Sequence, residues 1–128
     1  MTQEEILEGN KLIAQFMCVK NVREYQTKRN PNIIDLVIAE DEDGYIDYVE
    51  GINYILYHSD WNQLMPVVEK IESLGTGYVM MENNKCEIVI TLDNQGKKHF
   101  SNRFIQNTKL ESIHEGVVEF IKWYNENK

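Results

Sequence analysis

Residues 57–75 read YHSDWNQLMPVVEKIESLG, and this stretch decides the fold around it. Ser59 or Asp60 is suited to cap a helix, and Gly75 is suited to end it. Between these limits apolar residues recur at helical spacing and form one face, made by Trp61, Leu64, Met65, Val68 and Ile71. Pro66 lacks an amide hydrogen and crowds the preceding turn, so we expect a kink there. The stretch therefore predicts a capped amphipathic helix.

The same reasoning outlines the other elements. Capping-box patterns at Thr2 and Glu5 and at Thr108 and Glu111 predict a first helix over residues 3–17 and a last helix that runs nearly to the C-terminus. Alternation and β-branched residues predict strands in residues 33–39, 45–57, 78–81, 86–92 and 98–105. A helix over residues 48–57 is the alternative to the second of these strands. Residues 19–32 are predicted to form a loop with room for a short strand.

One domain over residues 1–128 is expected from this length. The element order α-β-β-α-β-β-(β)-α predicts an α+β fold, with an antiparallel or mixed sheet of about four strands packed by three helices. An α/β/α sandwich is one such arrangement.

The composition is that of a soluble globular protein, with 42% hydrophobic and 27% charged residues. No apolar run is long enough to cross a membrane, and residues 1–5 lack the basic and apolar parts of a secretory signal, so we expect a cytoplasmic location. Cys18 and Cys86 are then expected to be reduced, as small buried residues rather than a disulfide or a ligand pair.

Nearly all of the net charge of −8 lies in residues 35–50, which contain no Lys or Arg. The acids there are Asp35, Glu40, Asp41, Glu42, Asp43, Asp47 and Glu50. Residues 97–109 carry the opposite charge and no acid. Because nucleic-acid affinity depends on neutralising phosphates, a chain this acidic is not expected to bind DNA or RNA.

Residues 39–50 partly match a calcium-binding EF-hand loop. Acids occupy loop positions three, five, nine and twelve, which are Asp41, Asp43, Asp47 and Glu50. Loop position one is Ala39 instead of Asp, and the β-branched residues before it make a poor entering helix. We therefore favour an acidic hairpin or loop and keep a calcium loop as the alternative.

Tyr57, His58 and Trp61 are placed to line a small pocket at the start of the second helix, where free N–H groups favour an anion. In the alternative that we favour, His58 packs beside the cap and Trp61 anchors the core. His99 and His114 share no ligand spacing with His58, so no zinc site is predicted.

Residues 11–17, 57–72 and 117–125 resemble a family of small uncharacterised proteins of bacterial genomes and prophages. The hallmark of that family is similar to YHxxWxxLMPVVEKIE, which begins here at Tyr57. More loosely, the order of elements is similar to that of the phage ABA sandwich domain. The resemblance implies a phage-related context and supports the fold, but it implies no catalytic residue and does not extend to the acidic segment.

No nucleophile, metal cluster or phosphate loop appears with a recognisable spacing, so no reaction and no cofactor is predicted. We expect a non-enzymatic, phage-related accessory protein that binds a protein partner. Its acids Asp41, Glu42, Asp43 and Asp47 would steer a basic partner. Trp123 lies beside the apolar stripe of the last helix and is a further candidate contact residue, although we favour a partly buried residue at the rim of that stripe. The alternatives are the pocket near His58 and Trp61, the calcium loop, and a homo-oligomeric structural module.

Overall fold

The computed structural model describes residues 2–26, 34–39, 53–93 and 97–128. Within these ranges the elements are α1 (Gln3–Phe16), β1 (Val22–Gln26), β2 (Ile34–Ile38), β3 (Asn53–Tyr54), α2 (Trp61–Ser73), β4 (Thr76–Glu82), β5 (Lys85–Leu92), β6 (Lys98–Ile105) and α3 (Lys109–Asn127). The predicted α+β class is confirmed. The described strands form two antiparallel sheets, β1-β2-β3 and β4-β5-β6, where the sequence had suggested a single sheet.

The chain divides into two compact units, residues 1–56 and 57–128. In the first unit, the Thr2 hydroxyl accepts a hydrogen bond from the Glu5 amide at 3.1 Å, which confirms the predicted cap of α1. Strand β1 occupies part of the region predicted as a loop, and it pairs with β2. Helix α1 contacts β2. The single-domain prediction for residues 1–128 stays a prediction.

In the second unit, α2 begins after Asp60, whose carboxylate accepts a hydrogen bond from the Asn62 amide at 2.9 Å. Its buried face consists of Leu64, Val67, Val68 and Ile71. Trp61 is 37% exposed, so the expectation that it anchors the core is wrong. Trp61 is the first residue of the helix, and Tyr57 is the buried aromatic at this end. The kink at Pro66 stays a prediction.

The predicted hairpin is confirmed and is longer than expected, since β4 and β5 pair from Thr76↔Thr91 to Glu82↔Lys85. Asn83 makes the turn with a φ of 53°, a left-handed conformation that Asn tolerates well. Gly77 has a φ of 148°, and a Cβ there would lie 1.8 Å from the Val89 carbonyl oxygen. Only glycine fits this position of β4.

Helix α3 packs across β5 and β6, and α2 contacts both β4 and α3. The Thr108 hydroxyl accepts a hydrogen bond from the Glu111 amide at 3.2 Å, so this predicted cap is confirmed too. A Cβ on Gly116 would lie 2.9 Å from a ring atom of Phe104 and 3.2 Å from the Cys86 sulfur. The absence of a side chain at Gly116 therefore lets α3 lie close against the sheet.

The two cysteines differ in their surroundings. Both are free thiols; Cys86 is buried as predicted, but Cys18 is exposed, so that part of the prediction is wrong. Helix α1 ends at Phe16, and Cys18 follows in a left-handed turn with a φ of 58°. The apolar stripe of the helix does not continue through such a turn.

Candidate functional site

The start of α2 brings together residues that are far apart in the sequence. Tyr57 is buried and His58 is half-buried just before the cap, and His114 of α3 is only 1% exposed. The centroids of the two imidazole rings lie 6.1 Å apart, with the ring planes at 71°. The contact follows from the packing of α2 against α3. Two of the three histidines of the chain therefore form a pair.

Burial keeps the ring of His114 neutral. Loss of solvation, followed by repulsion from His58, lowers the pKa of His114 from 6.5 to about 4. Burial also raises the pKa of Tyr57. A base with so low a pKa takes up little proton at neutral pH, so His114 is a neutral ring poorly matched to general acid–base work near pH 7. The main consequence of the low pKa of His114 is a free energy of unfolding that depends on pH.

The sequence did not predict a role for His114, although one signal was present. His114 lies three residues before Val117 and seven before Ile121, both buried on α3. Helical spacing alone could therefore have placed it in the core. Its contact with His58 could not have been found this way, because it depends on how two helices pack.

An anion at the start of α2 would compete with the cap. The Asp60 carboxylate already accepts the Asn62 amide and places a negative charge at the helix N-terminus. Burial leaves Trp61, at 37% exposure, as the accessible aromatic of the predicted pocket, while Tyr57 is in the core. A ligand site formed by Tyr57, His58 and Trp61 stays a prediction.

The acidic segment begins inside the first sheet. Asp35 is half-buried in β2, and Ile38 at the end of β2 pairs with Asn53 at the start of β3. The predicted site residues Asp41, Glu42, Asp43, Asp47 and Glu50 lie outside the described residues. The described residues on either side of residues 40–52 are thus joined by the pairing of β2 with β3.

The interpretation of residues 39–50 as an EF-hand loop requires a helix before the loop, and the structure has no helix in residues 34–38. These residues form β2 instead. Ala39, at loop position one, is buried and its amide donates to the Asn21 carbonyl at 2.8 Å. Calcium binding by the acids of residues 41–50 without the helix–loop–helix geometry stays a prediction.

A cleft of about 510 Å³ opens beside α1 in the first unit. Its lining includes Ala14, Val19, Val22 and Leu36 as apolar residues, with Lys11, Gln15, Arg23 and Glu24 as polar ones. Lys11 forms ion pairs with Glu24 and, at 3.1 Å, with Glu8. Hydrogen bonds to Glu24 and then to Glu8 raise the pKa of Lys11. Because this ammonium is already paired with two glutamates, it offers an anionic ligand little net charge.

Trp123 lies in an aromatic cluster on α3 and β6. Its ring centroid is 5.4 Å from that of Phe100 and 5.7 Å from that of Phe120, and the residue is half-buried. These two rings account for part of the burial of the indole. The proposed contact role of Trp123 stays a prediction for its remaining exposed part.

The other chemically active groups are buried or dispersed. Burial raises the pKa of the Cys86 thiol to about 12, so it is not a nucleophile at neutral pH. Across the ranges that the structure describes, no group of three or more His, Cys, Asp and Glu side chains could hold a metal ion. In the same ranges, no helix is both long and apolar enough to span a bilayer.

Comparison with known proteins gives no assignment for this arrangement. No protein-family model, no curated protein and no solved structure matches the chain.

Proposed function

We propose that the protein is a small accessory protein that binds a basic protein partner through its acidic segment, residues 35–50. One observation carries this proposal: the segment contains seven carboxylates and no Lys or Arg, and it accounts for nearly all of the net charge of −8. A surface of one sign attracts partners of the opposite sign and raises their association rate. The charge also opposes binding to nucleic acid, which is itself anionic.

The sheet in which the segment begins gives a second reason to expect a protein partner. Ile38 of β2 pairs with Asn53 of β3, on the other side of residues 40–52. Ile34 on β2 and Tyr54 on β3 are both exposed large hydrophobic residues. Protein interfaces commonly combine apolar or aromatic contacts with a charged rim. The Val37↔Tyr54 register places Ile34 and Tyr54 on opposite faces of the sheet, so only one of them at a time fits such a combination with the acids.

A phage-related context for this binding rests on the resemblance of residues 11–17, 57–72 and 117–125 to a family of small proteins of bacterial genomes and prophages. In that context, one version of the proposal is mimicry of nucleic-acid charge toward a bacterial nucleic-acid-binding protein. A protein that uses a basic surface to hold phosphates would then bind the acidic segment instead.

The proposal is tested by capture from a bacterial lysate with three forms of the chain. One is the wild type, and the second is an acid-neutralised variant, Asp41→Asn, Glu42→Gln, Asp43→Asn and Asp47→Asn. The third is a matched control variant with the same change in charge, in which the exposed residues Glu69, Glu72, Glu82 and Glu126 become Gln. Circular dichroism confirms that all three are folded, and captured proteins are eluted with increasing salt and identified by mass spectrometry.

The proposal predicts that the wild type and the control variant retain the same basic protein, and that the acid-neutralised variant loses it. Elution should occur at modest salt, because exposed charges are screened within about 8 Å at physiological ionic strength. Retention of the same proteins by all three forms would refute the proposal. So would the capture of no basic protein by the wild type.

A further inference from the structure

One face of the second sheet carries an unusual share of the exposed apolar surface. This β4–β6 face bears the in-register residues Tyr78, Val89 and Ser101, and it lies opposite the buried face of Cys86, Ile88 and Ile90 that α3 covers. Three exposed large hydrophobic residues lie on it: Tyr78 at 46%, Met80 at 45% and Ile105 at 57%. Single exposed apolar residues are ordinary, but three on one sheet face suggest a contact surface.

The charges on this face balance, although the chain is strongly acidic. Glu87 and Arg103 are cross-strand neighbours, and their side chains form an ion pair at 3.7 Å. Glu82 and Lys85 are paired across the hairpin at one end of the sheet. The face therefore has two acids and two bases, within a chain whose net charge is −8.

We propose that the β4–β6 face binds a second copy of the chain in a symmetric, face-to-face dimer. This inference is independent of the acidic segment and of the partner proposed for it. Two identical acidic chains repel one another, so they associate most readily through a surface whose own charge is neutral. A two-fold axis brings the same patch of both copies together. Because the patch carries both Glu87 and Arg103, each copy offers the charge that the other needs.

Charge balance favours a second copy over the other occupants of such a face. A basic protein would find as many bases as acids here, and a nucleic acid would find Glu82 and Glu87 beside the two cations. Stacked sheets lie about 10 Å apart, so Tyr78, Met80 and Val89 would form the apolar centre of the contact.

The size of the face sets the expected strength. Three strands about 4.8 Å apart and seven to eight residues long cover roughly 14 Å by 24 Å. A standard stable interface buries about 800 Å² on each partner, and this face supplies less. The dimer should therefore be weak and reversible, with a dissociation constant in the micromolar range or above.

Sedimentation equilibrium of the full chain from about 10 µM to about 1 mM tests the dimer. The wild type should rise from its monomer mass of 15.1 kDa toward twice that value. Met80→Glu introduces a charge at the centre of the face in both copies, and it should weaken association at least about tenfold. Trp61→Ser removes an exposed aromatic outside the face, and it should leave association unchanged.

Charge reversal gives a test that does not depend on the stability of one variant. Glu87→Arg and Arg103→Glu should each weaken self-association, because each replaces a balanced face by one with three charges of one sign and one of the other. Mixing the two variants should restore a heterodimer, since each then meets the opposite charge. A wild type that remains a monomer to 1 mM, a dimer that Met80→Glu leaves intact, or a mixture that associates no better than its components would each overturn the proposal.

Discussion

Acidification from pH 7 to pH 5 is expected to destabilise the folded chain through His114. The ring is buried, and loss of solvation together with repulsion from His58 lowers its pKa from 6.5 to about 4. The unfolded chain takes up a proton on this ring below about pH 6.5, whereas the folded chain keeps it neutral until about pH 4. The unfolded state binds more protons in this window, so the free energy of unfolding falls as the pH falls.

The expected loss is large compared with the stability of a small domain. The full difference in pKa corresponds to roughly 3 kcal/mol at about 1.4 kcal/mol per pH unit, and about 2 kcal/mol of it is lost between pH 7 and pH 5. Urea unfolding at constant ionic strength measures this loss. His114→Gln removes the titrating ring, so its free energy of unfolding should fall by about 2 kcal/mol less over the same range.

A matched variant separates burial from repulsion. His58→Asn removes the neighbouring imidazole but leaves His114 buried, and burial is the larger cause of the low pKa. We therefore expect His58→Asn to keep most of the pH dependence. If the wild type and His114→Gln lose stability in parallel between pH 7 and pH 5, the reasoning is refuted. An NMR titration that places the pKa of His114 near 6.5 in the folded chain would refute it as well.

Three further predictions concern packing, capping and thiol reactivity. Gly116→Ala should lower the free energy of unfolding by about 1–3 kcal/mol, because its Cβ would overlap the sheet; thermal unfolding measures the loss, and an unchanged midpoint would contradict it. Asp60→Ala should cost about 1 kcal/mol in the same assay, whereas Ser59→Ala should change little, since Asp60 supplies the cap. Cys18 should react with a thiol reagent in the native protein and Cys86 only after denaturation; two fast thiols in the native state would contradict their assigned burial.

Local features of the fold were predictable because neighbouring residues determine them. The caps at Thr2 and Thr108 depend on side chains within the first helical turn, and both were found where the pattern placed them. The alternation of β5 likewise reports directly which side chains are buried. The tight turn at Asn83 joins two strands, and the sequence predicted a strand on each side of it.

Features that depend on packing between distant segments were not predictable in the same way. His58 and His114 form a pair because α2 contacts α3. The spacing of residues along the sequence does not predict which helices contact each other. The division of the strands into two sheets depends on pairing partners, which alternation alone does not specify. Trp61 matched the apolar stripe of α2, but its place in the first turn leaves it exposed.

The most direct test of binding by residues 35–50 is a comparison of dissociation constants. The captured protein is titrated with each of the three forms of the chain at a single ionic strength. Ion pairs at protein surfaces generally contribute a few tenths to about 1 kcal/mol each, so the loss of four carboxylates corresponds to at least about a tenfold loss of affinity. We therefore predict that the acid-neutralised variant binds at least about ten times more weakly than the wild type, and that the control variant binds as the wild type does. Equal affinity for all three forms would contradict a role for the acidic segment in binding.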